Sequence, residues 1–548
     1  MSNTLLTTLS RERLRQGYES GFWRDETIYA LAAVRAARKP GAPALREAGR
    51  RIAIGELIAA ADRLSGALRA AGLRRGQRVA AWLPSRAETA VALLACSRDG
   101  LVLCPSLHRD HTVAEVVGLL GRMRAAALIA EPGHGADADR HDIFARAEEV
   151  ASLRRVFRLE KATPGEALWP PAGEPGAPPA GDPDGVVYLA FTSGTTGAPK
   201  GVMHSDNTLL GNARAIVADW HLGEDDVIAT LSPLSHNLGF GSLVIALLSG
   251  AELVVHDLPR GRSLLDRLVE TGTSYLVGVP THAIDLLEEM RRRGVTQLGR
   301  VRGFRVSGAA VPRAVVAGLI EHGVTPQSGY GMTEASSHHY TLPGDPAERM
   351  VETSGRICPG YEVRVFAADD PERELPVGET GQIGGRGASL MLGYFDEQGA
   401  TEDSFNAGGW FMTGDLGWVD AAGYIRITGR KKDVIIRGGH NIFPARIEML
   451  AMQHPAVLRA VALPVPNDRL GEKVCLAVMP RPGTAPAAED ILLHLDAAGL
   501  SKYDQPEYFL LVAEIPLTAS GKILKRAVAA RLEAGELHPQ PVRLPTRA

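Results

Sequence analysis

The chain alternates short apolar runs with longer segments in which apolar residues recur every three or four positions. After about residue 50, "RVAAWLP" and "LVLCPS" predict strands, and "SRAETAVALLACSRDG" between them predicts a helix that ends at Gly100. The alternation resumes after residue 225, where "DVIATLSP", "AELVVHD", "SYLVGVP" and "GFRVSGAA" predict strands and "THAIDLLEEMRRRG" predicts a helix. This order predicts an α/β protein with mostly parallel sheets covered by helices.

The character of the pattern changes twice along the chain. Residues 161–185 are rich in Pro, Gly and Ala and predict a surface linker that leads into the strand "VVYLAF". After residue 355, "GYEVRVF", "GQIGGRG" and "GYIRITG" predict short strands of a smaller β-rich subdomain. About 115 residues follow "GRKKD" (429–433), which is enough for a separate terminal domain.

Composition narrows the class of protein. The chain is 45% hydrophobic and 22% charged, which is ordinary for a globular protein, and its net charge of -3 gives no support for bulk nucleic-acid binding. Four scattered cysteines without C-x-x-C pairing favour a reducing compartment. The N-terminus lacks a signal-peptide core, and "FGSLVIALLSGAELVV" predicts a helix, a turn and a strand and no membrane span. We therefore expect a cytoplasmic protein.

The stretch "FTSGTTGAPKGV" (191–202) has the composition of a phosphate-binding loop. Its Gly194 and Gly197 are three apart and Lys200 follows a proline, so it lacks the G-x-x-x-x-G-K-[ST] spacing of P-loop kinases and ATPases. Glycines after a strand let backbone N–H groups approach an anion, and the Ser and Thr hydroxyls add donors. The loop predicts phosphate binding of a different kind.

Five motifs in register carry a family resemblance. "TSGTTGAPKG" is similar to the phosphate signature of the acyl-adenylate-forming superfamily, and "GYGMTEA" (329–335), "WFMTGDLG" (410–417), "ITGRKKDVIIRGGHNIFPARIE" (427–448) and "PLTASGKILKR" (516–526) follow in the expected order. The chain resembles the acyl-CoA synthetase branch over roughly residues 50–530. The resemblance implies a large domain over 1–431 with two helix-covered sheets and a β-rich subdomain, and a mobile α+β domain over 432–548.

The resemblance also implies ATP and CoA as reactants and Mg²⁺ as cofactor. Pyrophosphate leaves when an acid attacks the α-phosphorus, and a pantetheine thiol then displaces AMP. Lys522, Thr333 and Glu334 would be catalytic, with Glu334 and Thr196 as metal ligands; Lys432 would be the hinge and Asp415 would bind the ribose. The full set implied for the nucleotide and CoA is Thr192, Ser193, Gly194, Thr195, Thr196, Gly197, Lys200, Gly308, Ala309, Ala310, Tyr330, Gly331, Met332, Asp415, Arg430, Lys432, Gly438 and Gly439.

The motifs define the nucleotide site better than they define the acid substrate. The segments implied to line its pocket supply His236, Asn237, Gly239, Phe240, Val277, Gly278 and His282. These residues are small to medium and mostly apolar, with polar groups at His236 and Asn237. No Arg or Lys stands among them to pair a second carboxylate, which disfavours a dicarboxylic acid. The middle region resembles cyclohexanecarboxylate–CoA ligases, so we expect an alicyclic or medium-chain monocarboxylic acid.

Alternatives remain open at this point. "HN" at 236–237 resembles the pocket of dihydroxybenzoate–AMP ligases, which keeps an aryl acid as a rival, and a separate carrier protein could replace CoA as acceptor. A silent adenylate-binding protein is disfavoured because Lys522, Glu334, Asp415 and Arg430 are all present. We interpret His338 and His339 as loop or pocket-edge residues. The oligomeric state is open, with a homodimer as one arrangement, and Lys522 is a candidate substrate for a lysine acetyltransferase.

Overall fold

The structure is a computed structural model that describes residues 5–47, 49–163, 166–170, 174, 177–192, 199–258, 261–308, 311–438, 440–517 and 523–544. The helices of these residues are α1 Arg11–Glu19, α2 Ile28–Arg38, α3 Ile54–Ala70, α4 Glu88–Asp99, α5 Val113–Arg122, α6 Ile143–Ala147, α7 Asp206–Asp219, α8 Asn237–Ser249, α9 Leu264–Thr271, α10 Pro280–Arg293, α11 Arg313–Glu321, α12 Ala347–Glu352, α13 Gln398–Glu402, α14 Pro444–Ala451, α15 Ala488–Ala497 and α16 Lys525–Glu533.

The strands, in chain order, are β1 Pro43–Glu47, β2 Arg50–Ala53, β3 Arg78–Trp82, β4 Val102–Cys104, β5 Ala125–Ala130, β6 Arg155–Arg158, β7 Val186–Phe191, β8 Gly201–Ser205, β9 Val227–Thr230, β10 Glu252–Val254, β11 Tyr275–Gly278, β12 Gly303–Val306, β13 Thr325–Met332, β14 Ser336–Tyr340, β15 Arg356–Ile357, β16 Tyr361–Phe366, β17 Gly381–Gly387, β18 Phe411–Val419, β19 Ile425–Arg430, β20 Ile435–Arg437, β21 His440–Ile442, β22 Val457–Asn467, β23 Gly471–Pro480, β24 Tyr508–Leu511 and β25 Gln540–Pro541. The predicted strands and helices quoted above are all present.

Two large sheets form the body of the fold. One has the order β15-β14-β13-β12-β11-β9-β10-β1-β2 and is parallel from β13 to β1, with antiparallel strands at both edges. The other has the order β6-β5-β3-β4-β7-β8 and is parallel except for β8. Helices α2, α3, α4, α7 and α8 share one apolar core with both sheets, as when Phe240 of α8 stacks on Tyr188 of β7 at 4.2 Å. The predicted fold class is confirmed.

Two smaller sheets follow in the chain. Strands β16 to β19 form a four-stranded antiparallel sheet, which is the predicted β-rich subdomain. The last sheet has the order β21-β20-β23-β24-β25, with β22 paired to β23, and helices α14 and α15 contribute to its core. Lys432, the predicted hinge, lies in a short 3-10 turn over Lys431–Asp433, between the two sheets. No helix of the described residues is long and apolar enough to cross a membrane.

A buried carboxyl joins α7 to two other helices of the common core. Asp206 is 1% exposed, and its Oδ1 accepts hydrogen bonds from the Ile28 N–H at 2.9 Å and from the Ser97 hydroxyl at 2.8 Å. Burial raises the pKa of Asp206 to about 7, because a charged carboxylate loses its hydration here. The folded protein therefore keeps a proton on Asp206 that the unfolded chain releases near pH 4.

We predict that Asp206→Asn removes a pH-dependent loss of stability. Between about pH 4 and pH 7 the folded state binds more protons at Asp206 than the unfolded state, so wild-type stability falls as pH rises, by on the order of 4 kcal/mol. Asparagine keeps the Oδ1 acceptor and has no proton to release. The melting temperature of the variant, relative to that of the wild type, should therefore increase as pH rises from 4.5 to 8. The exposed Asp225→Asn is the control, and a difference independent of pH would contradict the prediction.

Candidate active site

Thr333 and Glu334 lie in a tight turn between two antiparallel strands. Strand β13 ends at Met332, β14 begins at Ser336, and these two residues are cross-strand partners. The predicted nucleotide residues Tyr330, Gly331 and Met332 form the end of β13, so the motif "GYGMTEA" is a strand followed by a reversal. We call residues 333–335 the acidic turn.

All three backbone carbonyls of the acidic turn accept hydrogen bonds. His204 Nε2 donates to the first at 2.7 Å, the Met391 N–H to the second at 2.7 Å, and the Ser389 hydroxyl to the third at 2.9 Å. His204 is fully buried, and burial lowers its pKa to about 4, so the imidazole is neutral at pH 7. A carbonyl only accepts, so Nε2 carries the proton, while Nδ1 lies 3.0 Å from Thr208 Oγ1.

The Glu334 side chain accepts a hydrogen bond from Tyr394, three residues beyond Met391. The Tyr394 hydroxyl donates to Glu334 Oε1 at 3.0 Å, and Lys200 Nζ lies 4.8 Å from the centre of the Tyr394 ring. Burial raises the pKa of Glu334, since the carboxylate has lost water without a directly paired cation among the described residues. A cation at this carboxylate would be strongly favoured. Lys200, Tyr394 and Glu334 thus connect the predicted phosphate loop to the acidic turn.

Residues 388–394, which we call the support segment, carry Ser389, Met391 and Tyr394. The N-terminal part of the chain holds this segment from outside: Trp23 Nε1 donates to the Ala388 carbonyl at 2.8 Å, Arg13 Nη2 to the Met391 carbonyl at 3.0 Å, and the Thr8 N–H to the Leu392 carbonyl at 3.0 Å. The acidic turn is therefore braced by two successive layers of backbone contacts.

A second cluster stands next to the acidic turn. The Tyr330 hydroxyl donates to Asp415 Oδ2 at 2.8 Å, and Arg430 Nε lies 3.2 Å from Asp415 Oδ1. Asp415 and Arg430 are cross-strand partners on β18 and β19, so the antiparallel pairing itself brings them together. Burial raises the pKa of Asp415, and the Arg430 charge opposes this shift. A carboxylate has more lone pairs than these two contacts use, so Asp415 retains capacity for further donors.

The predicted phosphate loop joins β7 to β8. The Thr192 N–H donates to the Lys200 carbonyl at 2.9 Å and closes the base of the loop. Several predicted site residues lie outside the described residues: Ser193, Gly194, Thr195, Thr196, Gly197, Ala309, Ala310, Gly439 and Lys522. Gly308, just before two of them, has φ +93°, a conformation that favours glycine.

The predicted CoA loop is a hairpin tip between β20 and β21. Gly438 has φ +59°, and its N–H donates to the Leu470 carbonyl at 2.7 Å. On the next strand, His440 Nε2 lies 2.7 Å from Asp504 Oδ1. The tip thus belongs to the last sheet, beyond Lys432 in the chain.

The residues implied for the acid pocket surround the start of α8 and the end of β11. His236 is the N-cap of α8 and Asn237 its first residue, and the His236 ring stacks on His108 at 4.0 Å. Gly239 approaches the backbone so closely that an added Cβ would lie 2.2 Å from the Pro233 carbonyl. Phe240 and Val277 are fully buried.

The remaining pocket residues, Gly278 and His282, lie at the start of α10. The Val279 N–H donates to His282 Nδ1 at 3.2 Å, so the imidazole caps the helix, and burial lowers its pKa to about 4. A Cβ on Gly278 would lie 3.0 Å from His282 Nδ1. His282 therefore has a local structural role in addition to any contact with an acid.

Two expectations about this region are corrected. His338 and His339 lie on β14 and are fully buried, so the loop interpretation is wrong. Arg305, on β12, is the register partner of Val277, which places a buried cation beside the predicted pocket where none was expected. Because both faces of β12 are buried, the strand pattern of "GFRVSGAA" could not reveal that its arginine shares a sheet face with Val277. Tyr394, His204 and Ser389 were also missed, because no sequence motif marks them.

The residues present fit Mg²⁺ shared with phosphates. Among the described residues no group of three or more His, Cys, Asp and Glu side chains could hold a metal alone. Mg²⁺ is commonly bound by one or two carboxylates together with phosphate oxygens and water. The partly buried carboxylate of Glu334, which Tyr394 links to Lys200, matches that donor set.

Comparison with known proteins identifies the class. A family model for AMP-binding enzymes matches residues 32–395, and a model for the C-terminal domain of AMP-binding enzymes matches residues 446–522. The chain belongs to the AMP-binding enzyme family. The resemblance seen in the five motifs is thereby confirmed.

Individual relatives cover almost the whole chain. The chain is 31% identical to the medium-chain fatty-acid–CoA ligase of Escherichia coli K12, over 96% of this chain and 94% of that protein. It is 32% identical to the 3-[(3aS,4S,7aS)-7a-methyl-1,5-dioxo-octahydro-1H-inden-4-yl]propanoyl:CoA ligase of Mycobacterium tuberculosis H37Rv, over 89% of this chain and 95% of that protein. ATP-bound MatB from Rhodopseudomonas palustris superposes with a TM-score of 0.82 at 27% identity, covering 93% of this chain and 99% of MatB.

We predict that Tyr394→Phe impairs adenylation while leaving the fold intact. The ring that faces Lys200 remains, but the hydrogen bond to Glu334 is lost, and a bond to a charged group of this kind corresponds to roughly tenfold or more in kcat/KM for Mg²⁺·ATP. Because that bond lowers the pKa of Glu334, its loss should also move the acid limb of the pH profile to higher pH. Acid-dependent ATP–pyrophosphate exchange measures both effects.

The matched control for Tyr394→Phe is Tyr424→Phe. The Tyr424 hydroxyl donates to Asp345 at 2.7 Å, away from the acidic turn. Equal effects of the two variants, or an unchanged acid limb in Tyr394→Phe, would contradict the assigned contact.

Proposed function

We propose that this enzyme activates an alicyclic or medium-chain monocarboxylic acid, with cyclohexanecarboxylate as the leading candidate. The coarser activity follows from the family: the protein is an ATP-dependent, AMP-forming acyl-CoA ligase that uses Mg²⁺. One observation carries the link to the chemistry. The hydrogen bond from Tyr330 to Asp415 joins two motifs 85 residues apart and sets them beside the partly buried Glu334.

In the first half-reaction the acid carboxylate attacks the α-phosphorus of ATP, giving acyl-AMP and pyrophosphate. Catalysis of such a transfer depends on positioning and on neutralising charge. We assign the phosphates to Lys200 and the loop before it, the α-phosphate to the Thr333 hydroxyl, and the ribose to Asp415. Mg²⁺, when bound, neutralises phosphate charge. Lys522 would add an ammonium near the attacking carboxylate.

In the second half-reaction the CoA thiolate attacks the acyl carbonyl, and AMP leaves. We assign the thioester step to the hairpin at Gly438, which would reach the acyl-adenylate after rotation about Lys432. The exposed position of Lys432 in a one-turn segment between two sheets supports a hinge there. The domain division at 431/432 is part of this proposal.

The nature of the acid rests on the pocket and on the relatives. The buried Phe240 and Val277 favour an apolar acyl group. The relatives named for a medium-chain fatty acid and for a ring-bearing propanoate agree with such a group. Asn237 at the start of α8 keeps an aryl acid with a ring hydroxyl as the rival.

We predict that the enzyme prefers cyclohexanecarboxylate or a medium-chain acid to aryl acids and acetate. AMP release is measured with Mg²⁺·ATP and CoA for cyclohexanecarboxylate, hexanoate, octanoate, benzoate, salicylate and acetate. Cyclohexanecarboxylate or a medium-chain acid should have the highest kcat/KM, with acetate lower by about 100-fold or more because it lacks the buried methylenes. Turnover confined to salicylate would favour the aryl rival. Pyrophosphate exchange without CoA consumption would favour a carrier protein as acceptor.

We predict that Lys522→Ala lowers acid-dependent pyrophosphate exchange by about 100-fold or more, because a positioned charge is lost at the transferring phosphate. Lys522→Gln, which resembles acetyl-lysine, should behave alike if acetylation inactivates the enzyme. The matched control is Lys525→Ala, since Lys525 pairs with Glu448 at 2.7 Å inside the last domain. A silent adenylate-binding protein would respond to none of the three changes. Acetylation and a homodimer stay predictions.

A further inference from the structure

Arg305 stands in the middle of the nine-stranded sheet. Its register partners are Val277 on β11 and Gln327 on β13. In-register residues of parallel strands point to the same face, so these three side chains stand side by side on the face that α7 and α8 cover. Arg305 is 4% exposed and Gln327 is fully buried. A cation and an amide therefore continue the sheet face that begins with the pocket residue Val277.

Both polar side chains have N–H groups to spare. Arg305 donates through Nη2 to Ser337, and the Gln327 Oε1 accepts from the Tyr275 hydroxyl. Arg305 Nη1 and Gln327 Nε2 find no hydrogen-bond partner within the part of the chain that the structure describes. A buried donor without an acceptor is costly, and more so when it is charged, which makes such a pair unusual in a packed interior.

The surroundings do not neutralise the Arg305 charge. Across the described ranges no carboxylate forms an ion pair with it, and the ionisable groups that face it are Tyr275, Tyr340 and Cys358. Burial raises the pKa of each of these three groups, so all are neutral at pH 7. An acceptor oxygen bound at this point would satisfy the unpaired N–H donors of Arg305 and Gln327.

The distance from Arg305 to the acidic turn matches the length of a compact acid. Ser337, which binds Arg305, directly follows Ser336, the cross-strand partner of Met332 next to the acidic turn. Ser337 lies two residues beyond Ala335, the last residue of the acidic turn. Two strand residues span about 6.6 Å and a hydrogen bond adds about 3 Å. The guanidinium group is thus roughly 10 Å from the acidic turn, within reach of the far end of a six-membered ring acid.

We propose that Arg305 and Gln327 form a polar subsite at the deep end of the acid pocket, which binds an acceptor oxygen on the substrate acid opposite its reacting carboxylate. The subsite rests on the proposed ligase function. A far-end carbonyl narrows the proposed class of monocarboxylic acids, whereas a second carboxylate replaces that class with a dicarboxylic acid. Arg305 supplies the charge, and Gln327 supplies a second donor beside it.

The first test compares three acids on the wild-type enzyme. Cyclohexanecarboxylate has no far-end oxygen, 4-oxocyclohexanecarboxylate carries a neutral carbonyl, and trans-cyclohexane-1,4-dicarboxylate carries an anion. AMP release with Mg²⁺·ATP and CoA gives kcat/KM for each. We expect at least one oxygenated acid to exceed the plain acid by about tenfold or more, and the better of the two tells whether the natural group is a carbonyl or a carboxylate.

The second test uses Arg305→Met, which keeps the length of the side chain and removes its donors. The kcat/KM of the oxygenated acid should fall by about tenfold or more relative to that of the plain acid in the same variant. Arg300→Met, at an exposed position five residues earlier, should keep the wild-type preference. If Arg305→Met does not fold, Gln327→Leu provides the same ratio with one donor removed.

The outcomes separate this inference from the proposed function. A wild-type enzyme that prefers cyclohexanecarboxylate to both oxygenated acids overturns the subsite and leaves the ligase proposal standing. Equal losses for all acids in Arg305→Met and in Gln327→Leu would mean that the residues only stabilise the fold. Turnover of none of the three acids, or of salicylate alone, would overturn the proposed acid class and the subsite together.

Discussion

The active site depends on one constraint, the position of a three-residue turn that has no regular structure of its own. The carbonyls of residues 333–335 accept donors from outside the hairpin, one from His204 and two from the support segment. Because His204 is buried and neutral, its donor is fixed in one tautomer. The turn is therefore rigid without being part of a helix or a strand, and Glu334 inherits that rigidity.

This constraint explains why the N-terminal residues contact the site although they lie before the matched family region, which starts at residue 32. The support segment would have free backbone groups on its outer side if Thr8, Arg13 and Trp23 did not bind it. Trp23 is 2% exposed and fills the space next to Gly17, where any side chain would collide with the indole ring. The N-terminal helix thus helps to hold the acidic turn in place through the support segment.

The sequence could predict what is local and repeated, and little else. The alternation of apolar runs was sufficient for the sheets, since a buried parallel strand and an amphipathic helix each leave a periodic signal. The motifs predicted Tyr330, Glu334, Asp415 and Arg430 as site residues, and the structure brings Tyr330, Asp415 and Arg430 together. Tyr394, Ser389 and His204 act through contacts with residues about 55 to 130 positions away, and such contacts leave no period and no spacing. Arg305 is harder still, because both faces of β12 are buried. The strand pattern therefore does not tell which of its residues face α7 and α8.

The partly buried Glu334 and the buried Arg305 favour opposite kinds of partner. Glu334 is a carboxylate whose pKa burial raises, so it gains most from a cation, and the phosphates that bring Mg²⁺ also bring that cation. Arg305 is a cation whose pKa burial lowers, so it gains most from an anion or a carbonyl, which nothing in the nucleotide supplies. An acid lying between them meets a site for its reacting carboxylate at one end and unused donors at the other. The apolar residues between these ends then contact the ring or chain that joins the two oxygen-bearing groups. The pocket therefore selects an acid by its length and by the polarity of its far end at the same time.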